Sequence, residues 1–315
     1  MTEVNVLVTG AQGFIGSSLI KSLSNGQYAV AGASHSLTDS AQLQLRAGES
    51  VAELAHKLKG YTAIIHTAGL AHIAKPDARQ VKEFYHVNVG FTEKLAIAAG
   101  AAGVTHFIFL SSIGVNGNGV SRHYTEHDEP APVSAYAESK MMAEQTLWQA
   151  ARESALKVTV LRLPLVYGLG CKGNMRSLLR FVNSGFPVPL ARVRNKRSLL
   201  GIDNLADILM RTINNPRAYN EMFLAGDGEE LSTSEIMACL SEGIGGRFKS
   251  IPIPVPLLKL SMFILGQSDK FDKLTGNLTV DISKLSQRLQ WQPKVNTQDG
   301  LKEFARSSLT ASEKC

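Results

Sequence analysis

Ser112 and, 24 residues on, Tyr136 followed by Lys140 form a grouping whose side chains suit acid–base work on an alcohol. Tyr136 and Lys140 stand at i and i+4, so on a helix they share one face. A phenol with an unperturbed pKa near ~10 is only about one part in a thousand ionised at neutral pH, too little for a good base. An ammonium beside it favours the phenolate, so Lys140 is expected to bring the phenol down, each unit corresponding to ~1.4 kcal/mol. A Ser112 hydroxyl can hydrogen-bond the same substrate oxygen and steady its charge as a proton leaves or arrives, with Ser111 as the alternative source. Together the three residues fit hydride chemistry at a secondary alcohol. Tyr-x-x-x-Lys alone arises by chance on many helices.

Hydride chemistry needs a carrier, and the N-terminus supplies a place for one. An apolar run is followed by Thr9-Gly10-Ala11-Gln12-Gly13-Phe14-Ile15-Gly16, and then by a helix with Ile15, Leu19, Ile20 and Leu23 on its apolar stripe. Gly10 permits a tight turn, Gly13 lets backbone N–H groups approach a pyrophosphate, and Gly16 allows close packing of helix on strand. Gly10, Gly13, Phe14, Ile15 and Gly16 are therefore candidate dinucleotide contacts, and the strand-to-helix context separates this loop from a chance glycine trio. The second apolar run ends Ala31-Gly32-Ala33-Ser34-His35-Ser36, without the Asp or Glu that would hold a ribose diol. Ser34 and His35 can accept a 2′-phosphate, so the cofactor is expected to be NAD or NADP.

These residues must be positioned by alternating strands and helices. Strands are expected at 4–8, 28–33, 63–66, 106–110 and 158–163, and helices at 15–24, 81–102 and 136–152. The pattern is that of an α/β, doubly wound parallel sheet, with its ligands at the carboxyl ends of the strands. After Pro164 the texture changes, and helices dominate beyond about residue 231. Ser232-Thr233-Ser234-Glu235 reads as a capping box, and Asp281 as the N-cap of a helix at 282–289. A dinucleotide-binding domain is expected at 1–165, rejoined by 203–225, with a smaller, mostly helical substrate-binding part at 166–202 and 226–315.

Composition is that of an ordinary globular protein: 315 residues, 44% apolar, 33 Lys+Arg against 27 Asp+Glu. The richest apolar stretch, 251–265, falls short of the ~18 residues a membrane span needs and carries Pro252, Pro254 and Pro256. No membrane span is expected. Glu3 and the short run behind it do not make a secretory signal, so the expected location is the cytoplasm. Cys171, Cys239 and Cys315 are widely spaced, which predicts reduced thiols and no metal site. From 172 to 202 there are seven bases (Lys172, Arg176, Arg180, Arg192, Arg194, Lys196, Arg197) and no acid, the footprint of a polyanion partner. Nucleic acid is not that partner, because only Phe181 and Phe186 accompany the bases.

Taken together, Thr9 to Gly16, His66-Thr67-Ala68-Gly69, Phe107 to Ser112, Tyr136 to Lys140, Leu161-Arg162-Leu163-Pro164-Leu165-Val166-Tyr167-Gly168 and Leu289-Gln290-Trp291-Gln292-Pro293 resemble the extended short-chain dehydrogenases/reductases of the nucleotide-sugar epimerase/dehydratase group. The likeness spans nearly the whole chain, with Gln290 where the family has Gly. It implies a Rossmann-type fold, cofactor contacts at Thr67, Ala68, Gly69 and Pro164 as well as Tyr136 and Lys140, and a homodimer through the helices flanking the Tyr-Lys segment. It also implies a UDP-sugar substrate, a dTDP-sugar being the less favoured, held by Asn174 and an Arg197 that resembles the family's diphosphate arginine. The stretch 273–280 has no Arg where family epimerases often grip the nucleotide, leaving Lys273 as a substitute. His72 is a weaker candidate for touching substrate. Ile113 and Gly114 stand where family dehydratases have an Asp-Glu pair, so dehydration is not expected. The remaining readings are, first, a 4-epimerase of a UDP-hexose or UDP-N-acetylhexosamine; second, an NADPH-dependent 4-ketoreductase; last, a non-catalytic dinucleotide-binding regulator.

Overall fold

The computed structural model describes residues 4–25, 28–71, 76–264 and 266–312, the side chains of 268–270, 273, 311 and 312 excepted. In its first half lie β1 (Val4–Thr9), α1 (Phe14–Ser24), β2 (Tyr28–Ser34), β3 (Leu43–Gln44), α2 (Val51–Leu58), β4 (Ala63–His66), α3 (Ala78–Phe84), α4 (Thr92–Ala101), β5 (His106–Ser112) and α5 (Ala135–Glu153). There follow β6 (Lys157–Leu163), β7 (Leu165–Tyr167), α6 (Asn174–Asn183), β8 (Arg197–Gly201), α7 (Ile202–Thr212), β9 (Glu221–Leu224), β10 (Glu230–Leu231), α8 (Thr233–Gly243), α9 (Val255–Ile264), α10 (Ser268–Thr275), α11 (Ser283–Leu289) and α12 (Thr297–Ser312).

Seven parallel strands form the main sheet in the order β3-β2-β1-β4-β5-β6-β9. The order reverses between β1 and β4, which opens a crevice at their carboxyl ends. Alternation along each strand divides the core into two layers. Val6, Val8, Ile108 and Leu110 join Leu19, Leu205 and Trp291 on one face, whereas Leu7, Phe107 and Phe109 join Leu54, Leu95 and Leu147 on the other. Both faces are covered, as a parallel sheet requires. The Ser232/Glu235 capping box forms as expected.

Two elements differ from the sequence reading. The helix expected at 81–102 begins at Ala78, capped by Asp77, and passes through a π-helical stretch, Tyr85–Phe91, before α4. That widened turn carries Asn88, which is buried. Asp281 accepts from the Ser283 N–H at 2.8 Å, but the helix it precedes starts at Ser283.

Beyond β6 a small sheet, β10-β8-β7, and helices α6, α8 and α12 enclose a third apolar cluster that includes Met175, Leu199, Leu240 and Phe304. Asp227 ties this region together: its carboxylate accepts from Tyr167 Oη at 2.9 Å, Asn204 Nδ2 at 2.7 Å and the Gly201 N–H at 3.0 Å. Trp291 is fully buried and donates Nε1–H to Asp207 at 2.9 Å. The preceding Gln290 has φ of 50°, a left-handed conformation at the C-cap of α11. Among the described residues no helix is long and apolar enough to cross a membrane, and Cys171 and Cys239 are buried free thiols. Cys315 lies outside the described residues.

Candidate active site

The glycine loop sits at the switch point. Gly10 has φ of 72°, and a Cβ there would lie 2.7 Å from Thr67 Oγ1 and 2.9 Å from Ala68 N. The loop after β1 therefore rests directly on the loop after β4, held by Thr67 Oγ1–H donating to Thr9 O at 2.6 Å. At Gly16 a Cβ would come within 2.2 Å of Gly10 O, which fixes how closely α1 approaches the turn. Gly13 is the N-cap of α1; it supplies no side-chain cap, and the first turn has no acid. Phe14, Ile15 and Gly16 thus open a helix whose first amides suit a diphosphate. Phe14 also faces the small-sheet region, where a Cβ at Gly168 would lie 3.4 Å from its ring. These features fit a dinucleotide. Ser34 ends β2 with Oγ 3.4 Å from Nδ1 of the exposed His35, and no carboxylate stands between 31 and 36.

At the end of β5 the two serines separate. Ser111 is buried and donates to Glu144 Oε1 at 2.5 Å, so its hydroxyl is committed to the fold. Ser112 points to the other side, is half-buried, and lies close enough to the Tyr136 phenol to lower it. Its Oγ also accepts the Gly114 N–H at 3.1 Å. Ser134 caps α5, and the stripe Ala137, Lys140, Ala143, Glu144, Leu147 and Ala150 faces the sheet. Lys140 lies in that stripe, donating to Leu110 O at 2.9 Å with Nζ 4.3 Å from the centre of the Phe109 ring. A Cβ on Gly69 would be 3.5 Å from the same Nζ, so the loop after β4 closes over it.

The expectation that Lys140 lowers the phenol is overturned for the protein alone. Burial pushes Tyr136 up to about 12, opposed only by the nearby Ser112 hydroxyl. Burial also lowers Lys140 to about 8, with Glu144 working the other way. The ammonium is engaged by the Leu110 carbonyl and the Phe109 ring, and desolvation outweighs helix-face proximity.

Several polar residues behind the site were not singled out from the sequence. Asn88 accepts from Leu70 N at 2.7 Å and donates to Ser139 Oγ at 3.0 Å, joining the loop after β4 to α5. Glu144 receives Arg162 Nη2 at 2.7 Å and Nε at 3.0 Å, and Arg162 Nη1 reaches Asn116 Oδ1 at 3.0 Å. His66 bridges Thr9 Oγ1 at 2.7 Å and Thr92 Oγ1 at 2.9 Å and is held neutral, lowered to about 3 by burial and then by Lys140. The signal for Glu144 was available: it follows Lys140 by four residues on a face that is otherwise apolar.

Pro164 is buried between β6 and β7. Asn174 is exposed as the first residue of α6. Arg197 starts β8, half-buried, with Nη1 donating to Gly276 O at 3.1 Å and its backbone bridged to Leu278. A Cβ on Gly119 would lie 1.8 Å from Asn277 O, so the loop that follows Ser112 touches the same 276–278 segment. Arg176, Arg180, Arg192 and Arg194 are exposed. His72 and the Lys273 side chain lie outside the described residues. No cluster of His, Cys, Asp and Glu among the described residues could hold a metal.

The family model described as NAD dependent epimerase/dehydratase family matches residues 6–226. The UDP-glucose 4-epimerase of Vibrio cholerae is 36% identical, covering 98% of this chain and 97% of that protein. The N-acetyl-alpha-D-glucosaminyl-diphospho-ditrans,octacis-undecaprenol 4-epimerase of Escherichia coli O157:H7 is 25% identical, covering 86% and 81%. Among solved structures, MoeE5 in complex with UDP-glucuronic acid and NAD superposes with a TM-score of 0.78 at 25% identity, over 98% of this chain and 99% of that one.

Proposed function

The chain belongs to the NAD dependent epimerase/dehydratase family, and on that premise we propose that it is an NAD-dependent 4-epimerase of a UDP-hexose or UDP-N-acetylhexosamine. One observation carries the reading: Ser112, at the carboxyl end of β5, lies beside the Tyr136 phenol and lowers it, on the edge where the loops after β1 and β4 make a dinucleotide cradle. Whole-length similarity to a UDP-glucose 4-epimerase supports the choice of substrate, and the complex of MoeE5 with NAD supports NAD over NADP.

Gly10, Gly13, Phe14, Ile15 and Gly16 would hold the diphosphate, Ser34 and His35 would lie toward the adenosine ribose, and Thr67, Ala68, Gly69, Lys140 and Pro164 toward the nicotinamide half. Bound NAD supplies a hydride acceptor and donor at C4 of the sugar. Tyr136 Oη takes the proton of the 4-hydroxyl and returns it to the same oxygen when C4 regains hydride on its other face, while Ser112 Oγ fixes the oxygen. Because the phenol stands near 12 in the protein alone, it must be lowered in the complex, and the positive charge of an oxidised nicotinamide would act in that direction. Arg197 and Asn174 would hold the UDP moiety. Ile113 and Gly114 offer no carboxyl group for a dehydration. A homodimer through α4 and α5 is part of the proposal, supported by the exposed Ile97 and Met142 on those helices.

The test incubates the protein with UDP-glucose, UDP-N-acetylglucosamine and a 4-keto-6-deoxy sugar nucleotide, each with NAD or NADPH. A C4 epimer formed without net cofactor consumption is the expected result. Stoichiometric NADPH oxidation by the keto sugar, with no epimer from the other two, would overturn it.

A further inference from the structure

Within the apolar stretch 251–264 only one side belongs to the core, where Leu258 joins the third apolar cluster and Ile253, Val255 and Met262 pack against it. Of α9 only Leu258 is buried, while Leu257, Leu260, Phe263 and Ile264 are 58%, 55%, 70% and 73% exposed. Residues 256, 257, 260, 263 and 264 fall within about a third of the helical circumference, so the outward face is centred on Pro256, Leu257, Leu260, Phe263 and Ile264, with the exposed Lys259 and Ser261 at its two edges. That is a helix apolar on both sides, with Leu258, Val255 and Met262 packed inward and the other apolar side turned to water. The face continues into a groove of about 390 Å³ between α9 and α10, lined by Leu260, Phe263 and Phe271 with Lys259 and Asp272 at its rim.

Charge indicates what covers it. Residues 244–267 contain Arg247, Lys249 and Lys259 and no acid, all three exposed. The stretch leading into α9 is hydrogen-bonded to the acid-free basic segment that contains α6: Val188 N–H donates to Lys249 O at 2.9 Å, and Ile251 N–H to Val188 O at 2.7 Å. Phe186, 68% exposed, precedes that pairing, and the exposed Arg192 and Arg194 follow it. Among the described residues none of Arg192, Arg194, Arg247, Lys249 and Lys259 forms a salt bridge with an acid. A second copy seated on this face would bring like charges together. An anionic headgroup layer would neutralise them while acyl chains received the apolar face. Ten helical residues span about 15 Å, half a bilayer core, so the helix lies in the interface.

We propose that the outer face of α9, with the bases beside it, docks this protein on an anionic phospholipid bilayer. The inference stands apart from the assigned reaction, because vesicle binding is read without substrate. Flotation with vesicles of phosphatidylglycerol and phosphatidylethanolamine should carry the wild type, and vesicles of phosphatidylcholine alone should carry little. Leu260→Glu with Phe263→Glu should cut the bound fraction roughly tenfold or more, with turnover in solution unchanged. Should that variant fail to fold, Arg247→Gln with Lys249→Gln decides: weaker binding to anionic vesicles supports docking, and undiminished binding overturns it. The proposal also fails if the wild type does not float, if the α9 variant floats equally, or if the α9 variant lowers the oligomeric state of a protein that ignores lipid.

Discussion

Replacing Glu144 with Gln tests whether the α5 face that positions Lys140 is held by a buried charge pair. Arg162 and Glu144 have side chains only 6% and 5% exposed and meet at 2.7 Å, with Ser111 and Asn116 completing the network. Removing the carboxylate charge leaves a guanidinium in the sheet–helix interface without its counterion, a change that costs about 3–5 kcal/mol. At ~2.1 cal/mol/K of unfolding entropy per residue, each kcal/mol corresponds to about 1.5 °C here, so the melting temperature should fall by roughly 5–8 °C. Pairing Glu144→Leu with Arg162→Met removes both charges and should recover most of that loss, since an apolar pair of similar volume is often as stable as the ions. A functional effect accompanies the structural one. Glu144 raises the Lys140 pKa, so Glu144→Gln should lower it further below about 8 and move the alkaline limb of kcat/KM to lower pH. Calorimetry and a pH–rate profile read the two effects. A melting temperature within about 2 °C of wild type, or a double variant no better than the single one, would refute the argument.

Tyr136→Phe deletes the proton relay and little packing, so kcat should drop by about 10²–10⁴ with NAD affinity, measured by calorimetric titration, nearly intact. Ser112→Ala should lower kcat by roughly 10²-fold at unchanged stability, whereas Ser111→Ala should cost about 1–2 kcal/mol in urea unfolding and retain turnover. His66 and His106, both lowered to about 3 by burial, stay neutral in the fold below pH 6.5 while the unfolded chain takes up protons. Stability is therefore lost as pH falls through that window, about 1.4 kcal/mol per unit for each histidine, or about 4 kcal/mol in all by pH 5; equal urea midpoints at pH 7 and 5 would contradict this. Gln290→Gly should raise the melting point, because the left-handed conformation costs a non-glycine residue ~1–2 kcal/mol and glycine's added chain entropy offsets only part of the gain.

The strands and the glycine loop were legible because both are local: period-two burial in β1 and β5 and a positive φ at Gly10 follow from residue types a few positions apart. The choice between Ser111 and Ser112 was legible in principle, since neighbours on a strand face opposite ways, but which side holds α5 depends on the crossover. The Tyr136 pKa was misread because helix-face proximity shows in the sequence, whereas the Leu110 carbonyl that engages Lys140 and the depth of burial do not. Asn88 was hidden by the π-helical turn, which rotates it away from the place an uninterrupted α-helix would give it. The small sheet β10-β8-β7 escaped because its strands have two to five residues. α9 shows composition at its least informative: an apolar run reads as interior whichever way it faces.

Trp291 bears on how the molecule is made. Its indole belongs to the same apolar cluster as Val6, Leu19 and Ile65, yet it leaves the ribosome 285 residues after Val6. Until then one side of the nascent sheet lacks its final cover and offers oily surface to holdase chaperones or to other unfinished chains. Translation speed over the last quarter of the message, and not the intrinsic quality of the early strands, should therefore govern how much polypeptide matures and how much aggregates.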